Sequence, residues 1–182
     1  MCAVEQSRAI RPLLLERAAL PDRFYTQLQV LGLHAWLVLA RLHAEPRESY
    51  MTLRTEMMEK IWDQCALDLS KDFGFGYIEM SKHLKESQFS WHGICKSLDE
   101  SLTTEAPREA IGEVLLRNLY VDEEGNALVD ATGSTPTDVR SGALWLADYI
   151  LAQRAHMAGL ESAAVLKGRI TWAPADAASC QA

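Results

Sequence analysis

The apolar positions of this chain recur mostly at intervals of three and four, the period of an α-helix, and lay out a string of helices. Arg11–Leu20 reads as a short helix, with Pro12 in its first turn and Pro21 just past its end. Asp22 then stands where it caps a long helix from Arg23 to about His43. Phe24, Leu28, Leu31, Ala35, Val38 and Leu42 mark one face of that helix. Val30, Trp36 and Leu39 make the other faces apolar too, and a helix apolar nearly all round belongs at the centre of a domain.

Glu45-Pro46 breaks the pattern, and a second helix runs from about Glu48 to Leu69. Leu53, Met57, Ile61, Cys65 and Leu69 are four apart, with Met58 and Trp62 widening the stripe. Glu56 precedes Lys60 by four, the favourable order for a helix pair. Asp72-Phe-Gly-Phe-Gly-Tyr77 is a break that can pack its own aromatics. A third helix follows from about Ile78 to Leu102, through Met80, Leu84, Ile94 and Leu98. Gly93 inside it costs about 1 kcal/mol against alanine, which points to a close helix crossing.

Thr104–Pro107 is a cap and first turn, where a proline's missing N–H does no harm. The next helix is Arg108 to about Tyr120. Residues 121–136 are rich in Asp, Glu, Gly, Ser and Thr and form the clearest loop. Thr137–Ala158 is helical, with Leu144, Ala147, Ile150 and Leu151 inward, and Gly159 ends it. A short helix at Leu160–Leu166, Gly168, an extended Arg169–Trp172 and a loose tail complete the chain. The expected fold is all-α: one bundle of about five to seven helices with a short extended C-terminal segment. Its parts are an N-terminal segment 1–22, the helical domain 23–174 and the tail 175–182.

Composition narrows the function. At 182 residues the chain suits one domain with a real core. Its net charge is −7 and its Lys and Arg are scattered. That disfavours binding to bare nucleic acid and loose adhesion to anionic lipid. No segment approaches the roughly 20 apolar residues of a membrane span. Arg8, Arg11 and Arg17 with leucines between them faintly resemble a mitochondrial presequence, but Glu5 and Glu16 count against one.

No catalytic, cofactor-binding or metal-binding motif stands out. GxSxG, the phosphate-loop signature, GxGxxG and HExxH are missing. Gly74 and Gly76 begin like a dinucleotide loop, but no strand precedes them. Asp122, Glu123 and Glu124 read as solvated charge. Cys2, Cys65, Cys95 and Cys180 form no CxxC, and Cys65 and Cys95 sit in helical patterns as small core residues. A Cys65–Cys95 disulfide is the lesser alternative. His34 falls in the most apolar helix, where a lone histidine is usually neutral and bonded. Five tryptophans and several methionines fill helix crossings, and also make binding hot spots.

Taken in order, four segments resemble the ubiquinol–cytochrome c chaperone family, the cytochrome b assembly chaperones of the bc1 complex. They are Leu33-His34-Ala35-Trp36-Leu37 with Arg41-Leu42; Trp62-Asp63 with Phe89-Ser90-Trp91-His92-Gly93; Leu115–Tyr120, similar to LxRNxY; and Leu146–Ile150 with Gly168–Pro174, similar to G-x-[VI]-x-[WF]-x-P. The stretch Leu67–Gly76 departs from the family's charged turn. The resemblance implies a helical, non-enzymatic assembly factor. It would be mitochondrial or proteobacterial, and the expected place is the mitochondrial matrix or the periphery of the inner membrane. It would receive newly made cytochrome b, work with a small partner protein and associate with the mitochondrial ribosome. The same fold as a permanent subunit of a respiratory complex or ribosome is the alternative. Candidate partner-contacting residues are Leu31, His34, Trp36, Arg41, Met58, Trp62, Trp91, Arg117, Asn118 and Tyr120. The expected groove lies between the Phe24–His43 helix and the helices carrying Trp62 and Trp91.

Overall fold

The computed structural model describes residues 3–72, 76–122, 126–128 and 134–175. Its helices are α1 (Ala3–Arg17), α2 (Phe24–Leu42), α3 (Arg47–Asp72), α4 (Tyr77–Ser101), α5 (Pro107–Leu119), α6 (Thr137–Ala158) and α7 (Ser162–Val165). The described residues include no β-strand, only a single antiparallel bridge between Val121 and Ala127 in the loop after α5. This is one helical domain, as the periodicity requires. The tail beyond Ala175, the middle of the Phe-Gly-Phe-Gly break and Glu123 and Glu124 lie outside the described residues.

α2 runs through the middle and packs against α1, α3, α4 and α6. Every residue from Leu28 to Val38 is buried, so this helix has no solvent face over three turns. α5 packs on α4 and α6, and α3 and α4 form a long antiparallel hairpin beside α2. The hairpin is anchored by Ile61 and Cys65 on α3 and by Trp91, Ile94 and Leu98 on α4. Cys65 and Cys95 are free thiols, and burial pushes both up to about 12.

Two local expectations change. The first helix begins at Ala3 rather than Arg11, so Pro12 lies inside it. Its inward positions are Ala3, Gln6, Ile10 and Leu14, and the polar Gln6 hides the apolar phase from a sequence reading. Burial of Ile10 and Leu14 offsets the hydrogen bond that the proline removes. Asp22 does not cap α2: the N-cap is Arg23, without a side-chain bond. Asp22 instead accepts hydrogen bonds from Arg11 (2.6 Å) and Gln27 (3.0 Å), tying the two helices at the surface. The Arg11 guanidinium holds its carboxyl below the usual range.

The end of α1 is clamped from two sides. The Tyr120 hydroxyl, itself buried, donates to the Ala18 carbonyl. Gly142 of α6 lies so close that a Cβ there would stand 2.2 Å from the Ala18 oxygen. Ala19 then turns the chain with φ at 49°, in the left-handed region. Gly93, expected at a helix crossing, has open space where a Cβ would go.

Gly142→Ala should therefore force α6 off the end of α1, a backbone clash that no rotamer relieves. Overpacking of this kind costs about 1–3 kcal/mol, or several degrees of melting temperature at this chain length. Gly93→Ala should not lower it. Thermal melts of the two variants check the pair.

Candidate functional site

Three of the candidate residues belong to the interior of α2. The first is His34, at 2% exposure. Its Nδ1 lies 2.7 Å from the Val30 carbonyl and its Nε2 2.9 Å from the Tyr149 hydroxyl of α6. Gln6 of α1 donates to that same hydroxyl at 3.3 Å. One proton arrangement satisfies all of them: Nδ1–H donates to Val30, Nε2 accepts from Tyr149, and the Tyr149 oxygen accepts from Gln6. This requires a neutral ring, and burial pushes His34 down to about 4. The edge of the Trp172 ring contacts the imidazole at 5.1 Å between centroids. A single thread of polar atoms thus joins α1, α2 and α6, with the C-terminal segment closed over it.

Trp36 is buried, and its Nε1 donates to Asp99 of α4 at 2.9 Å. Leu31 is buried between a wide cleft on one side and the α3–α4 hairpin on the other. Arg41, at the end of α2, bonds Glu45 at 2.5 Å and the Leu160 carbonyl at 2.8 Å, fastening the turn between α6 and α7. A hydrogen bond from Ser162, and then the one from Arg41, hold the Glu45 carboxyl below its usual range. On α5, the Asn118 amide donates to Val114 one turn back, Tyr120 holds Ala18, and Arg117 is exposed.

The structure does bring Met58, Trp62 and Trp91 together. They share an open cavity of about 520 Å³ with Arg54, Thr55, Glu59, Asp63 and His92. The Trp62 and Trp91 rings meet edge to face at 6.1 Å. This cavity lies between α3 and α4. The expected groove against α2 is closed, with only about 10 Å³ left between Leu28, Gly32, Met58, Trp62 and Trp91. Gly32 is the reason: a Cβ there would come within 2.6 Å of Trp91 Cδ1, and without one the indole lies on the α2 backbone and donates to the Gly32 carbonyl at 3.1 Å. The larger cleft, about 650 Å³, is lined by α1, α2 and α3, with Leu14, Leu28 and Leu31 in it and Arg8 and Asp68 across it at 3.6 Å. Arg117, Asn118 and Tyr120 line neither space.

Two clamps escaped the sequence reading. Arg108 of α5 grips Asp148 of α6 through two bonds of 2.6 and 2.9 Å. Gln153, fully buried, bonds both the N–H and the carbonyl of Ala173 at 2.9 Å each. Gln153 stands three residues past Ile150 and four before Met157, in the apolar phase of α6. A polar residue in that phase was the available signal.

Residues 16–172 match the family described as ubiquinol–cytochrome C chaperone. The chain belongs to that family. The fold agrees with the crystal structure of the Cbp3 homolog from Brucella abortus, with a TM-score of 0.64. That likeness covers 96% of this chain and 92% of the other at 19% sequence identity. Among curated proteins, none matches the sequence. Among the residues that carry the family resemblance, His34, Trp36, Arg41 and Tyr120 each bond a neighbouring element, and Trp172 packs on His34.

The neutral His34 has a consequence in acid. Its folded value of about 4 lies below the ordinary 6.5, so between those values the unfolded chain binds the extra proton. This contribution to stability is complete above pH 6.5, declines as the pH falls from there and levels off below 4. The loss by pH 5 is about 2 kcal/mol. Urea unfolding at pH 7.5 and pH 5 should show this loss in the native chain, and a smaller one in His34→Gln, whose side chain does not titrate.

Proposed function

We propose that this protein is a non-enzymatic assembly chaperone for the cytochrome bc1 complex, respiratory complex III. It receives newly synthesised cytochrome b together with a small partner protein. The single observation that carries this reading is the family match over residues 16–172, on a fold shared with the Cbp3 homolog. Its place of work, on this reading, is the mitochondrial matrix or the periphery of the inner membrane, within reach of the mitochondrial ribosome. No described helix is long and apolar enough to cross a membrane, which is consistent with peripheral action.

The geometry supports holding a helix rather than transforming a substrate. The cavity between α3 and α4 is walled by Trp62, the largely buried Trp91 and the soft side chain of Met58, features that fit an apolar client side chain. Glu59 and Asp63 outnumber Arg54 in its lining and favour a basic residue flanking that client segment. Arg117 and Asn118 form a second candidate surface at the end of α5, turned to the small partner.

A photo-crosslinker at Met58 should capture nascent cytochrome b during its synthesis, and one at Arg117 should capture the small partner. Arg117→Ala should leave the melting temperature within about 1 °C, because the side chain is exposed, while weakening capture of the partner. If neither cytochrome b nor a small protein is recovered from either position, the reading fails. Stoichiometric retention in the mature complex would instead make the protein a permanent accessory subunit.

A further inference from the structure

α4 is amphipathic in an unexpected sense. Its inner face is ordinary: Ser87, Trp91, Ile94 and Leu98 are buried at helical spacing. The outer crest, about half a turn away, carries the two most exposed large apolar residues described, Ile78 at 83% and Phe89 at 85%. Singly, exposed apolar side chains need no explanation. These two are eleven positions apart, which in a helix brings them within about 20° of one another around the axis and about 16 Å apart along it. Lys82 and Lys85 lie between them on the same crest, and Lys96 continues it.

The charges are sorted around the axis as well. Between Ile78 and Lys96 no carboxylate falls within about an eighth of a turn of the crest line; Glu79 and Glu86 stand about a quarter turn to one side. Lys82 meets Glu86 only at 3.9 Å and Lys96 meets Glu100 only at 3.7 Å, both pairs exposed, so these lysines exchange partners readily. In a chain of net charge −7, the crest from Ile78 to Lys96 is a local reversal, bounded by Glu100 at its C-terminal end.

We propose that this crest of α4 seats the protein on an anionic phospholipid surface. The helix lies parallel to the bilayer, with Phe89 and Ile78 below the headgroups and Lys82 and Lys85 reaching lipid phosphates. Ile78, Lys82, Lys85 and Phe89 line none of the three cavities described above. The lysines beside its apolar side chains complement the charge of anionic headgroups, which is the ground for a lipid occupant. The inference deepens the membrane-peripheral placement proposed above and rests on it only for where the protein acts.

Vesicle flotation of the full chain tests it, comparing phosphatidylcholine alone with equal parts phosphatidylcholine and phosphatidylglycerol at about 0.15 M salt. Binding is expected to the anionic vesicles and to weaken as salt rises. Phe89→Ser should reduce partitioning about tenfold, and Lys82→Gln with Lys85→Gln at least as much. Lys60→Gln on the exposed part of α3 should change nothing, and all variants should keep the native melting temperature. No binding to anionic vesicles overturns the proposal, as does equal binding to both vesicles or binding that survives both sets of changes. If Phe89→Ser instead abolishes self-association or capture of an acidic protein, the crest is a protein interface and the lipid proposal falls. Crosslinking of cytochrome b from Met58 in lipid-free extracts reads the chaperone function separately. Lost flotation with intact crosslinking removes only the crest, and lost crosslinking with intact flotation removes only the client reading.

Discussion

A neutral imidazole at the heart of α2 is the constraint on which the arrangement of the helices depends. Burying α2 on every side from Leu28 to Val38 supplies apolar area, but such burial is non-directional and would tolerate sliding of its neighbours. His34 removes that freedom. Its two nitrogens have fixed positions, one committed to its own helix and the other to Tyr149, and Tyr149 in turn engages Gln6. An unpaired buried polar atom costs far more than a made bond returns, so register between α1, α2 and α6 is specified by avoidance of that cost.

The same device recurs around the domain. Trp36 to Asp99 sets α4, Trp91 to the Gly32 carbonyl sets its depth, Arg108 to Asp148 joins α5 to α6, and Gln153 straps down Ala173. Large side chains with one polar tip are suited to this, since the body fills a crossing and the tip fixes its angle. The chain shares its fold with the Brucella abortus homolog at 19% identity.

The α3–α4 hairpin separates these roles within single helices. The inner sides of both helices hold the core, while their shared edge opens the tryptophan cavity and the outer crest of α4 bears apolar and basic side chains with no core to serve. Long helices make this possible. At 26 and 25 residues, only part of each needs to be buried for stability.

By itself the sequence determined that the protein is all-helical, that the segment around Leu31–Val38 is its centre, and that four ordered segments place it in a chaperone family. Periodicity and composition suffice for the first two because helix formation and burial are local or nearly additive properties, while the third rests on the resemblance of the motifs. Tertiary structure decided the rest. Gln6 belongs to a helix because its partner lies 143 positions along the chain, at Tyr149. Asp22, placed as a cap by its neighbours in sequence, is taken by Arg11. The groove expected against α2 is filled by Trp91, since the space left by a missing Cβ at Gly32 is visible only when the helices are packed. Of the ten candidate contact residues, Leu31, His34, Trp36, Trp91 and Tyr120 turned out to be buried. A sequence pattern records that an aromatic or a cation is present at a position. Whether its polar tip faces a neighbouring helix or the solvent is settled by long-range packing.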